Sequence, residues 1–249
     1  MLNMVYCEML KLKRSKILLL SILGVMTTPF MLFVEGIQQH MEHPEQEITL
    51  STVYSNSMLY VMVLINMMIY VTITAYLFSR EYSENTWKTI LPTPVSRSLI
   101  LTAKFLTLLG WVLLLTVVTW LGVTILFMVF HFTIGLSEVN AAVIWTWFLR
   151  FLLGNGLVFL TLTPFAYFAE RSKGLVTPMI LSAVIVMGNA ALCNQRFGAL
   201  FPWTATYLLV MKRISETGYP VFLAVSLIAI IFLTGVAATY MYFIKEDLK

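Results

Sequence analysis

Charge is what this chain has least of. Of its 249 residues only 11% are charged, against 59% that are hydrophobic. A soluble domain carries about 25% charged residues, so too few are present to coat a surface exposed to water. With a mean hydropathy of +0.87, the composition predicts a polytopic membrane protein, residues 1–249 forming a single membrane domain. No Gly-x-x-x-x-Gly-Lys-Ser/Thr stretch occurs, so ATP cannot be bound by a P-loop of this chain's own. The long apolar runs hold no acid and one cation, Arg150. An intramembrane protease or lipid phosphatase needs paired acids or a Ser/His set at that depth, and a secondary transporter needs ionisable residues near mid-membrane. Both classes are disfavoured.

The apolar runs set the topology. Residues 1–16 form a short amphipathic segment, with Leu2, Val5, Met9 and Leu12 at helical spacing and Glu8, Lys11, Lys13, Arg14 and Lys16 towards its end. It is expected to lie in the inner interface as an elbow. The run Ile17–Val34 is long for a signal peptide, and Phe33-Val34-Glu35 is not a small-residue cleavage site, so it is read as a retained first span, kinked at Pro29. A polar loop to about Asn56 follows. Further spans are expected at 57–79, 105–132, 141–169, 175–193 and 219–244, six in all. Between the last two, residues 194–218 are irregular. The stretch Phe197–Met211 is apolar but short and contains Pro202, which suits two half-helices dipping in from outside.

Basic residues fix the orientation. Lys11, Lys13, Arg14, Lys16, Arg80, Lys88, Arg97, Lys104, Arg171, Lys173, Lys245 and Lys249 fall on one side, and Arg196, Lys212 and Arg213 on the other. That bias places both termini in the cytoplasm. It also accounts for the net charge of +4 without nucleic acid. The two cysteines, Cys7 and Cys193, fall on opposite faces, so no disulfide is expected within one chain.

Between the second and third spans lies the longest charge-rich stretch, Arg80–Lys104. Ser83 or Asn85 can cap a turn, Pro92 and Pro94 exclude helix around themselves, and Ser96 can start the next helix. Six charges, Arg80, Glu81, Glu84, Lys88, Arg97 and Lys104, surround one aromatic, Trp87. Alone, Arg80 and Glu81 read as an interfacial ion pair. Together with Trp87 they make a compact knob suited to a protein partner.

Glu81, Asn85-Thr86-Trp87-Lys88, Leu91-Pro92 and Val95-Ser96-Arg97, with Lys104 beyond, resemble the first cytoplasmic loop of type-2 ATP-binding-cassette permeases. Among them the chain most resembles the bacitracin-resistance and lantibiotic-immunity permeases. The family often has Gly where Asn85 stands, and Asn too tolerates the left-handed conformation. The resemblance implies an all-α integral membrane protein of six spans, with a coupling helix in this loop and a re-entrant outer hairpin between spans 5 and 6. It implies that Arg80, Glu81, Glu84, Thr86, Trp87, Lys88 and Arg97 couple to a separate ATPase. ATP and magnesium would belong to that partner, and no cofactor to this chain. Expected partners are two ATPase copies, a second permease copy as a homodimer, membrane lipid and an amphipathic peptide. The expected function is export of an antimicrobial peptide from the bacterial plasma membrane. The alternatives are export of a lipid or hydrophobic drug, or an intramembrane enzyme.

Arg150 lies about nine residues into the fourth span, roughly 13 Å along the axis. Two readings are open for it. It snorkels to the outer headgroups, or it lines an outward cavity and meets an anionic group on the substrate, such as a lipid phosphate. Gly154-Asn155-Gly156, one turn deeper, would open the helix to form that cavity, with Asn155 on its wall, or would serve close packing. His40 and His43 have the three-residue spacing of zinc ligands, but Pro44 breaks any helix there and a solvated loop is expected. Trp111, Trp120, Trp145, Trp147 and Trp203 are read as interfacial anchors.

Overall fold

The computed structural model describes residues 2–13, 15–84, 86 and 96–245. Their regular structure is helical throughout, with one isolated bridge between Thr49 and Ser137. In chain order the helices are α1 (Leu2–Lys13), α2 (Lys16–Glu42), α3 (Leu50–Leu59), a π-helical turn (Tyr60–Leu64) and α4 (Ile65–Ser83). Then come α5 (Arg97–Thr133), α6 (Ala141–Ser172), α7 (Val176–Leu192), a 3-10 turn (Arg196–Leu200), α8 (Pro202–Val210), α9 (Ile214–Thr217) and α10 (Val221–Lys245). Among the described residues five helices are long and apolar enough to cross a membrane, with α3, the π turn and α4 forming one of them. They correspond to spans 1–4 and 6 of the sequence reading. The fifth expected span is α7, which is apolar but has 17 residues, about 26 Å of rise. Exposed apolar side chains such as Leu19, Leu23, Phe30, Ile180, Val184 and Leu233 present a hydrocarbon-compatible exterior.

The boundaries differ from the apolar runs in an instructive way. The expected outer loop 35–56 shrinks to 43–49, because α2 runs on to Glu42 and α3 begins at Leu50. Polar residues such as Gln38 and Gln39 end hydropathy but not helix. What stops α2 is the His43-Pro44 step, and what starts α3 is Thr49, whose side chain accepts the Thr52 N–H. His40 is therefore helical rather than in a loop. Ser96 stands at the N-cap of α5 in extended geometry, as the sequence suggests. The expected coupling helix lies outside the described residues.

Polar side chains tie the bundle together at depth. Thr28 on α2 donates to Asn66 Oδ1 (2.8 Å), and Asn66 Nδ2 donates to Thr119 Oγ1 on α5 (3.0 Å). All three are fully buried. Trp111 donates to Ser21 across the same helix pair (3.2 Å), and Trp147 is buried against Tyr54. Neither is an exposed interfacial anchor, whereas Trp145 is exposed. Replacing Asn66 by Leu strands two threonines from their amide partner. It should cost about 1 kcal/mol, the scale of hydrogen bonds between membrane helices, and an unfolding titration in mixed micelles will show whether it does.

The segment between α7 and α10 packs into the bundle rather than over it. Thr204, Ala205, Thr206, Tyr207 and Leu208 of α8 are all buried. Asn189 on α7 donates to the Val63 carbonyl of the π turn (3.3 Å) and accepts from Thr204 Oγ1 (3.0 Å). Trp203 Nε1 reaches the Thr161 carbonyl of α6 (3.2 Å). That carbonyl lies one turn before Pro164, where the ring removes a helix hydrogen bond, and Thr163 Oγ1 answers the Leu160 carbonyl freed there (3.2 Å). Beside Pro164, α10 approaches so closely that a Cβ on Gly235 would stand 2.6 Å from the proline nitrogen.

Candidate functional site

At the end of the bundle that carries α1 and the last turn of α10, the helix ends that flank residues 85–95, the roots of the charge-rich stretch, are held by charged groups. Leu77 and Glu81 lie four apart on one face of α4. Lys104, two turns into α5, reaches both. Its ammonium donates to Glu81 Oε2 at 2.6 Å and to the Leu77 carbonyl. Lys104 is 1% exposed and Glu81 2%. The third element is α1, whose Glu8 is also buried and stands 4.0 Å from Lys104. Lys11 closes the ring, pairing with Glu8 and, at 3.3 Å, with Glu81. The cluster thus balances two carboxylates with two ammoniums, a condition for burying charge without a large desolvation loss. Burial disfavours the Lys11 charge, but Glu8 and Glu81 outweigh it and hold that ammonium above the ordinary lysine range.

Arg80 does not pair with Glu81. It bonds the Lys11 carbonyl of α1 (3.0 Å) and the Glu84 carboxylate one turn on (2.9 Å). Arg97, at the first turn of α5, donates to the Phe243 and Ile244 carbonyls (3.2 and 3.1 Å) and so caps α10. Both roots of the loop are thereby fastened to other helices, the α4 root to α1 and the α5 root to α10. Of the expected coupling residues, Arg80 and Glu81 stand at the α4 root and Arg97 at the α5 root, Glu84 is the exposed C-cap of α4, and the Thr86 N–H bonds the Glu81 carbonyl (3.1 Å). Trp87 and Lys88 lie outside the described residues. Sequence reasoning left out Glu8 and Lys11, and it counted Lys104 as a loop charge although the side chain is buried. The spacing Glu8–Lys11 (i, i+3) was the available signal.

The two residues expected to share a cavity are separated. Arg150 borders a cleft of about 490 Å³ between α6, the end of α8 and the start of α10, together with Thr146, Leu153, Leu157 and Lys212. Its guanidinium carbon stacks 4.6 Å from the Trp147 ring centroid. Asn155 is fully buried in the bundle instead, donating to the Phe151 carbonyl (2.9 Å). Five residues apart on an unbroken α6, the two lie on different faces. Gly154 serves close packing, since a Cβ there would stand 2.8 Å from the Met62 sulfur.

An all-helical membrane bundle without a nucleotide-binding motif, with a buried cluster of paired charges at the roots of one charge-rich stretch, has the form of a subunit that is driven by another protein. A match to the family described as ABC-2 family transporter protein spans residues 4–189. The chain is also similar to the bacitracin transport permease protein BCRB of Bacillus licheniformis, 33% identical over 207 residues, which cover 83% of this chain and 97% of that one. No solved structure matches. The chain belongs to the ABC-2 transporter family and is a non-catalytic, multi-pass permease subunit of an ATP-binding-cassette transporter.

Proposed function

We propose that this chain is the permease of an exporter that removes an antimicrobial peptide of the bacitracin or lantibiotic class from the bacterial plasma membrane. The observation that carries the reading is the similarity to a bacitracin transport permease across 97% of that protein's length. In this reading α7 completes six spans, α1 is the inner-face elbow, and the 3-10 turn with α8 is a re-entrant hairpin on the outer side. Both termini are cytoplasmic, a placement that the basic bias supports. Two copies of the permease, as a homodimer, would meet two ATPase subunits, which hold the ATP and magnesium.

The clamped loop roots suit such coupling. A push on Trp87 and Lys88 would pass into α4 and α5 through Glu81 and Lys104, and into α1 and α10 through Arg80 and Arg97, without being lost in the loop. ATP would then shift the population between two membrane conformations by binding them unequally. The test is co-purification from native membranes. Trp87→Ala should weaken association with the ATPase by about tenfold or more, as for an aromatic anchor at an interface, and should lower bacitracin-stimulated ATP hydrolysis. Full ATPase stoichiometry and unchanged stimulation in that variant would remove the coupling role.

A further inference from the structure

The cleft beside Arg150 is graded from polar to apolar along one helix face. Thr146 and Arg150 lie one turn apart at its α6 start, and Leu153 and Leu157 continue the same face towards the middle of the helix. Across from them stand Leu209, at the end of α8, and Lys212, held in the left-handed conformation at φ 57° just beyond it. No carboxylate borders the cleft. Among the described residues neither Arg150 nor Lys212 has an acidic or hydrogen-bonding side-chain partner. The Arg150 guanidinium carbon lies 4.6 Å from the Trp147 ring centroid, a cation–π contact that uses none of its N–H donors, and a guanidinium can offer phosphate two parallel hydrogen bonds. Leu153 is 62% exposed, so the apolar part opens sideways onto hydrocarbon rather than into a closed chamber.

We infer that this cleft holds a membrane lipid bearing a phosphate headgroup, with the phosphate between Arg150 and Lys212 and one hydrocarbon chain along Leu153 and Leu157. Two cations without a facing acid suit a phosphate headgroup, most of all a monoester of charge about −1.5 to −2, and repel a basic peptide. With the α6 start facing outward, the grade matches a lipid of the outer leaflet, head towards water. The inference rests on the membrane placement proposed above but not on the cargo or on the ATPase.

The experiment is native mass spectrometry of the purified full-length protein in neutral detergent. It is titrated with dioleoyl phosphatidic acid, with dioleoylglycerol (the same chains without phosphate) and with inorganic phosphate. Phosphatidic acid should bind about tenfold or more tightly than dioleoylglycerol. Arg150→Gln and Lys212→Gln should each lower its affinity by about tenfold, the scale of a charge-assisted hydrogen bond, and leave dioleoylglycerol unaffected. Lys212 is exposed, so its variant keeps the test valid should Arg150→Gln fold poorly. Equal binding of the two lipids, unchanged affinity in Lys212→Gln, or displacement by inorganic phosphate at the same affinity would overturn the assignment. Because no ATPase is present, this result can fail while the coupling reading stands, and the reverse.

Discussion

Replacing Lys104 by Met is expected to destabilise the protein by about 3–5 kcal/mol, the cost of breaking a buried ion pair from one side. The substitution leaves Glu8 and Glu81, both buried, to share Lys11, and it also removes the ammonium that the Leu77 carbonyl accepts from in addition to its helix bond. Glu81→Gln should cost less, since Glu8 still faces both ammoniums and the amide still accepts from Lys104. The double variant restores charge balance, so its loss should fall below that of Lys104→Met alone. Unfolding in mixed micelles for the two single variants and the double variant measures this coupling. A Lys104→Met protein within about 0.5 kcal/mol of the parent, the usual range of a surface change, would show that the pair does not hold the loop roots.

Gly235→Leu should be at least as damaging, through sterics alone. A Cβ at this position would meet Thr163 Oγ1 at 2.4 Å and the Pro164 nitrogen at 2.6 Å. The proline nitrogen is backbone and cannot rotate away, so α6 and α10 must move apart. Overpacking typically costs about 1–3 kcal/mol, and a whole leucine at a backbone contact belongs at or above the top of that range. The control is Gly156, on α6, where nothing lies within 4 Å of an added Cβ. Gly156→Ala should gain about 1 kcal/mol from helix propensity. Equal effects of the two substitutions would mean that the α6–α10 approach is not as close as described.

The long helices were legible because hydrocarbon demands long uncharged runs, and five of the six expected spans coincide with helices long and apolar enough to cross a membrane. Helix ends were not, because hydropathy marks where lipid ends and not where hydrogen bonding ends. Hence α2 continues through Gln38 and Gln39 to Glu42. The charged loop was legible as a unit, but not the direction in which its members face. Glu81, Glu84 and Lys104 look equivalent in a string of residues, yet one carboxylate is buried against an ammonium 23 positions on and the other projects outward. That distinction depends on α1 docking between the ends of two other helices, a long-range contact without local periodicity. Likewise the sequence places Met9 on the apolar stripe of an interfacial α1 and gives Glu8 no inward role. The structure leaves Met9 exposed and buries Glu8, which faces Lys11 and Lys104. Asn66 and Asn189 gave no signal at all, since a lone Asn in an apolar run is equally compatible with a loop edge or a core bond.

The π turn at Tyr60–Leu64 has a consequence for insertions and deletions. A π turn closes its hydrogen bond over five residues rather than four, so it amounts to one extra residue lodged in an otherwise α-helical rod. Deleting a single residue there would let α3 and α4 fuse into one continuous helix, with Tyr54 and Asn66 still aimed at their present neighbours. It would also withdraw the Val63 carbonyl that Asn189 now engages, leaving a buried amide with half its bonds. The extra residue and the asparagine are thus a matched pair across 126 positions of chain, and a homologous chain one residue shorter in this turn has reason to carry an apolar side chain at the position of Asn189.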